Sequence, residues 1–303
     1  MAILLYGVLA NLLKSDTGRR HPLRVLGRFG YLQLRRRLGT SPFQFMTPTG
    51  TRALVEKTGD FSAITGLFYL DMPDLQETAF ACHALRPDEV LWDVGANQGF
   101  WSLLLAGRGV QAHAVEPTPT TFRNQAKQFA AQQSPFRERL HGHNLAMSSR
   151  VGKMHFTIDR GQANYLLKEG ETYGGASAEV NVTTMDTFGT AVPAPNFIKI
   201  DVEGWTLPVL EGASATLKRA DLYGLVIETF RYADGAKPEM RAVEALLADH
   251  GFHPFFYDPR ERRLTPLTRL DQGRQDTIYA RDTEFLRERL RTAAPVVCFG
   301  DRY

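Results

Sequence analysis

Two short segments concentrate the residues that could do chemistry. The first, Asn196-Phe197-Ile198-Lys199-Ile200-Asp201-Val202-Glu203-Gly204, has a period of two. Ile198, Ile200 and Val202 fall on one face, and Lys199, Asp201 and Glu203 on the other. A parallel strand covered on both faces is normally apolar throughout, so three ionisable groups in series are costly unless paired or used. Carboxylates at such a strand end suit proton transfer from an oxygen nucleophile. Glu203 is the first choice for a general base, with Asp201 orienting a substrate or an amino group. A Lys199–Asp201 ion pair, with Glu203 merely opening the next helix, is the structural alternative.

The second segment is Leu91-Trp92-Asp93-Val94-Gly95-Ala96-Asn97-Gln98-Gly99, an apolar run ending in a glycine-punctuated turn. Glycine accepts φ angles closed to other residues and lets backbone approach a ligand. In open α/β sheets, ligands sit beyond the carboxyl ends of the strands. The next apolar run ends in Ala114-Val115-Glu116-Pro117, whose carboxylate could accept both hydroxyl hydrogen bonds of a ribose. A dinucleotide site would require G-x-G-x-x-G with pyrophosphate on the helix N-terminus. Here Gly95 and Gly99 flank Ala96-Asn97-Gln98, and Asp93 precedes them. A carboxylate at that place repels pyrophosphate and attracts an ammonium, which favours S-adenosylmethionine over a nicotinamide dinucleotide.

Further candidates are weaker. In His143-Asn144-Leu145-Ala146-Met147-Ser148, Asn144 could hydrogen-bond an adenine and Met147 pack on it, although a polar residue at a strand end is also a common turn former. His141 and His143 are rival bases, and His143 could also contact a substrate. Trp205 could stack an acceptor ring or pack the start of a helix, and Glu228 could bind the acceptor or form an ion pair. No His or carboxylate spacing suggests metal ligation, so no metal is expected.

The elements that must hold these residues are legible from periodicity. Strands are predicted at 90–92, 112–115, 139–146, 196–202, 224–228, 252–257 and 275–281, with helices at 74–85, 102–107 and 120–133. Segments 153–158 and 179–185 alternate and predict an inserted antiparallel hairpin around a glycine-rich loop at 159–177. Strands spaced by helices predict an α/β, doubly wound fold with a mostly parallel sheet.

Residues 1–70 read as a basic helical N-terminal extension and residues 71–303 as the main domain. In the extension Leu23, Leu26, Phe29, Leu32, Leu34 and Leu38 follow a helical period, and residues 1–50 carry eight Lys or Arg against Asp16 alone. Such a helix can pack on the main domain with its charges solvated, lie on an anionic membrane surface, contact phosphates, or fold over an acidic substrate. Aromatic interleaving is limited to Phe29 and Tyr31, which argues against nucleic acid as a partner. The 303 residues are 43% hydrophobic and 23% charged, ordinary for a globular chain that is compatible with a homo-oligomer. The apolar stretch 3–13 is too short to span a bilayer and lacks the basic residues that precede it in a secretory signal. Cys82 and Cys298 form no C-x-x-C pair, so a cytoplasmic protein is expected.

Taken together, these motifs resemble the FkbM family of S-adenosylmethionine-dependent methyltransferases. The resemblance rests on Asp93-Val94-Gly95-Ala96-Asn97 with Gly99, Val115-Glu116-Pro117, Asn144-Leu145-Ala146-Met147-Ser148, Thr184-Met185-Asp186, and Ile198 to Gly204 continued by Val209-Leu210-Glu211-Gly212-Ala213. It spans residues 71–281. It implies a class I, Rossmann-like domain and methyl transfer to a hydroxyl of a sugar, glycan or secondary metabolite. Asp93, Gly95, Asn97, Gly99 and Glu116 would bind the cofactor, and Lys199, Asp201 and Glu203 would line the reaction site. Trp205-Thr206 departs from the small residue and acid usual there, and the basic extension lies outside the family core. An RNA methyltransferase using the basic arm and a non-catalytic S-adenosylmethionine-binding partner protein are the competing expectations.

Overall fold

The computed structural model describes residues 2–40, 42–56, 62–229, 238–268 and 275–303. Three helices come first: α1 (Ala2–Lys14), α2 (Asp16–Arg20) and α3 (Pro22–Arg37). The Ser15 hydroxyl accepts from the Gly18 N–H to cap α2, and Pro22 opens α3 where its missing N–H costs nothing. An antiparallel hairpin, β1 (Phe43–Met46) and β2 (Arg52–Val55), follows where the sequence predicts only helical extension.

Helix α4 (Ala63–Leu70) starts at a capping box between Ser62 and Thr65 and leads out of the extension through α5 (Leu75–Ala84) to β3 (Val90–Val94). Next come α6 (Phe100–Ala106), β4 (Gln111–Val115), α7 (Pro119–Ala130) and β5 (Leu140–His143). The predicted strand 139–146 is broken after His143: its end becomes β6 (Ala146–Met147) in a second sheet. That sheet has the order β6-β8-β7, in which β7 (Gly152–Thr157) and β8 (Ser177–Thr183) form the expected antiparallel pair. The chain returns through α8 (Met185–Phe188), β9 (Phe197–Ile200), α9 (Thr206–Glu211), α10 (Ser214–Leu217) and β10 (Gly224–Glu228). It then forms α11 (Pro238–Asp249), β11 (His253–Asp258), β12 (Arg263–Pro266), β13 (Asp276–Ala280) and α12 (Thr283–Thr292), and a short β14 (Val297–Cys298) pairs with β15 (Asp301–Arg302).

The eight-stranded sheet has the order β12-β11-β13-β10-β9-β3-β4-β5. Five neighbours from β10 to β5 are parallel, while the pairs β10 with β13, β13 with β11 and β11 with β12 are antiparallel. Strand order reverses between β3 and β9, the switch point beside which a ligand crevice opens. Alternate residues enter two separate cores: Leu91 and Phe197 on one face, Trp92 and Ile198 on the other. Coverage of both faces explains why β3 and β9 are buried along their whole length.

The extension is a layer of the same body. Leu12, Val25 and Leu32 are fully buried in the core that holds Phe68, Tyr69 and Cys298, each contributing about 1.5–3 kcal/mol. Arg28 donates to the Phe68 carbonyl at 2.7 Å and pairs with Asp71, and Arg24 donates to the Phe299 carbonyl. The outer edge of β2 is closed by two side-chain amides, Gln128 on α7 and Gln132 just beyond its end. Gln128 exchanges hydrogen bonds with the Leu54 backbone and Gln132 with that of Arg52, at 2.6–2.9 Å. Among the described residues no helix is long and apolar enough to cross a membrane.

Candidate cofactor and methyl-transfer site

A cleft of about 820 Å³ opens at the carboxyl ends of β3, β4, β9 and β10, walled on one side by Asn11, Leu12, Lys14 and Ser15 of the extension. Its floor is the turn after β3. Gly95, Asn97 and Gly99 all have left-handed φ, at 75°, 51° and 81°. The glycines serve packing. A Cβ on Gly95 would lie 1.7 Å from the Asp201 carbonyl oxygen, and one on Gly99 would lie 2.8 Å from the Phe129 ring. Gly95 and Asn97 line the cleft, whereas Gly99 is outside it.

Glu116, at the β4 tip, is buried and faces the cleft. Its Oε1 accepts from the Thr118 N–H at 2.8 Å and its Oε2 from the Asn97 N–H at 3.1 Å. Burial pushes its pKa up to about 7, against these donors. Each oxygen keeps a lone pair for a ribose hydroxyl. Ala146 and Met147 supply apolar wall nearby, and Thr118 and Thr121 add hydroxyls.

At the β9 tip the Lys199 ammonium is buried, 2.9 Å from Asp201 Oδ2 and 3.4 Å from the Gly95 carbonyl. Burial alone would lower its pKa, but the carboxylates of Asp201, Asp93 and Asp276 outweigh that and hold it above the ordinary lysine value. Glu203 has φ of 53° and is followed by Gly204 at 88°, a left-handed pair that turns the chain at the cleft edge. Carboxylate oxygens of Asp201, Glu203 and Glu228 lie within 4.8 Å of one another. The absence of metal-ligand spacing in the sequence therefore did not foresee that β9 and β10 bring three acids together, a set that could hold a cation. Trp205 lines the same edge, its indole N–H donating to Ser148 Oγ at 3.2 Å.

Several expected residues stand elsewhere. Asp93 is 1% exposed beneath the turn and does not line the cleft, so it is not placed to meet an ammonium directly. Its Oδ2 accepts from Ser102 at 2.8 Å, and its buried Oδ1 has no hydrogen-bond partner among the described residues. Asn144 is also outside the cleft, because its amide donates to the carbonyls of Glu116 and Pro117 at 2.8 and 3.0 Å and bends the chain between β5 and β6. His143 and His141, both on β5, lie against the same partner, His113, with nearly parallel rings at 5.4 and 4.7 Å between ring centres, away from the cleft. His143 Nε2 lies 3.1 Å from His113 Nδ1, and its ring meets Phe188 edge-on. These imidazoles are packing groups and not candidate bases.

Other cleft residues were not foreseen. Asp276 lies directly opposite Glu228 in the antiparallel register, so both side chains share one face. Burial, then Asp74, hold the Asp276 pKa well above the ordinary carboxylate value. Thr184-Met185-Asp186 is structural. Thr184 caps α8 and Asp186 accepts from the backbone of Ala215 and Thr216 at 2.8–2.9 Å.

The sheet order, the reversal between β3 and β9, and the strand-tip cleft define a class I, Rossmann-like methyltransferase domain. The model of the methyltransferase FkbM domain matches residues 93–254, more than half of the chain, and the chain belongs to the FkbM methyltransferase family. The family's methyl donor is S-adenosylmethionine. The hexuronic acid methyltransferase AglP of Haloferax volcanii is 30% identical over 140 residues, which cover 43% of this chain and 52% of that protein. The match thus spans about half the length of this curated relative. Precorrin-6y C5,15-methyltransferase of Geobacter metallireducens is 11% identical with a TM-score of 0.39, covering 68% of this chain and 87% of that one. Fibrillarin of Aeropyrum pernix, solved with S-adenosylmethionine, is 14% identical with a TM-score of 0.38, covering 67% and 73%.

The cleft's residues fit that donor. A buried carboxylate with spare lone pairs suits the ribose, the Met147 wall suits a purine, and Asp201 suits an ammonium.

Proposed function

We propose that this methyltransferase acts on oxygen, with a sugar or glycan hydroxyl as acceptor and Glu203 as the general base. The observation that carries the reading is the placement of Glu203, in a left-handed turn lining the cleft beside the Lys199–Asp201 pair. S-adenosylmethionine supplies an electrophilic methyl group on a sulfonium. Glu116 would hold the ribose hydroxyls and Asp201 the ammonium, while Trp205 and Glu228 face the acceptor. The acceptor hydroxyl, held in line with the methyl-to-sulfur bond, forms the new carbon–oxygen bond as Glu203 takes its proton. The products are the methyl ether and S-adenosylhomocysteine. Positioning of this kind supplies several kcal/mol of the barrier, and the base roughly 10²–10⁴-fold.

The similarity to a hexuronic acid methyltransferase supports a sugar acceptor. The RNA reading draws less support, since Arg24 and Arg28 of the basic arm are used internally. The test is a panel of sugars, uronic acids and natural-product alcohols assayed for S-adenosylhomocysteine release, with mass spectrometry of the product. A product methylated on hydroxyl is expected. Methylation on nitrogen, or release with RNA alone, would overturn the reading.

A further inference from the structure

Helix α3 is apolar on two faces. Val25 and Leu32, seven residues apart, point into the core and are wholly buried. Leu23, Leu26, Leu34 and the capping Leu38, separated by three, eight and four residues, fall on the outer face at helical spacing, with Tyr31 beside them. They are exposed, Leu23 to 81%, Leu38 to 66% and Leu34 to 55%. A Cβ on Gly27 or Gly30, which lie along this outer face, would meet nothing within 4 Å. Six of the eleven exposed large hydrophobics among the described residues lie between Tyr6 and Leu38. Singly scattered exposed leucines need no explanation, but a stripe along one helix marks an interaction surface.

The charge around the stripe selects its occupant. Arg19 and Arg20 precede its start, Arg37 lies at its end, and all three are exposed. Among the described residues no carboxylate pairs with Arg20 or Arg37. A leucine stripe framed by arginines matches the acyl boundary and headgroups of an anionic bilayer. Antiparallel pairing with a second copy would instead set the Arg20 end of one helix against the Arg37 end of the other, which like charge disfavours.

We infer that α3 is an interfacial anchor that seats the protein on an anionic lipid surface through Leu23, Leu26, Leu34 and Leu38, with Arg20 and Arg37 on the headgroups. The arm that carries this face also walls the cleft through α1, so the lipid-facing helix and the cleft wall share one packed core. The anchor does not depend on which acceptor is methylated.

The test uses the full chain, sedimented with vesicles of phosphatidylcholine alone or mixed with phosphatidylglycerol, and titrated to obtain a partition coefficient. Wild type is expected to bind the mixed vesicles, and less so as salt rises. Leu23→Glu/Leu34→Glu, both at exposed positions, is expected to lower partitioning by about a hundredfold while leaving the melting temperature and S-adenosylmethionine binding unchanged. Arg20→Glu/Arg37→Glu is expected to remove the preference for phosphatidylglycerol. Wild type that stays in the supernatant with both vesicles, or a leucine variant that partitions like wild type, overturns the inference. So does a dimer by light scattering that the leucine variant dissociates without any vesicle binding, which would assign the face to a second copy.

Discussion

The carbonyl oxygen of Asp201 occupies the space where any side chain on Gly95 would begin, 1.7 Å from an ideal Cβ. The turn after β3 and the tip of β9 are therefore interlocked through backbone. The two cleft segments are fixed against each other at this point.

Gly95→Ala should accordingly be severe, because a backbone clash adds to a φ of 75°. A loss of about 3 kcal/mol or more in chemical denaturation is expected, together with loss of calorimetric S-adenosylmethionine binding. A variant with wild-type stability and affinity would contradict the interlock.

Cofactor binding is expected to depend on pH through Glu116. If the ionised carboxylate accepts the ribose hydroxyls, a pKa of about 7 means affinity falls as pH drops through neutrality. Between pH 7.5 and 6 the Kd should rise about eightfold for a single proton. Glu116→Gln should bind weakly at both pH values, with a flat profile.

The histidine cluster is expected to contribute acid lability. Burial, then His141 and His143, push the His113 pKa down to about 3, below its unfolded value near 6.5. The neutral form is the folded form. Stability from this site is thus complete above about pH 6.5 and is progressively lost as pH falls towards 3. Melting temperatures from pH 7.5 to 5 should fall less steeply in His113→Asn, even though that variant starts lower.

The buried Lys199 already supplies the positive charge beside Asp201, at 2.9 Å. Chelation by EDTA is therefore expected to leave methyl transfer intact. Abolition by EDTA and rescue by Mg²⁺ would reassign Asp201, Glu203 and Glu228 as metal ligands.

Much of this site was legible because its residues end strands. Glu116 and Glu203 follow apolar or alternating runs, so strand direction alone places them at the cleft. Asp93 misled because it lies inside β3, where the pleat sends its side chain under the turn to Ser102. Asp276 was invisible for a different reason: it reaches the cleft only through the antiparallel pairing of β13 with β10, which no local pattern encodes. No local pattern marks the hairpin β1–β2, because four-residue strands show too few alternations and its outer edge is satisfied by Gln128 of distant α7 and Gln132 just beyond that helix. The helical spacing of α3 was evident, but spacing could not say that Leu23 and Leu34 face outward while Val25 and Leu32 face the core.

The measurement that bears most directly on the proposed chemistry is a comparison of Glu203→Gln with wild type, using an acceptor found in the panel. The amide keeps the shape and cannot take the proton. S-adenosylmethionine affinity should be unchanged within about twofold, while kcat falls by roughly 10²–10⁴-fold. A Glu203→Gln enzyme with wild-type kcat would contradict the assignment and move the base to Asp201 or Glu228.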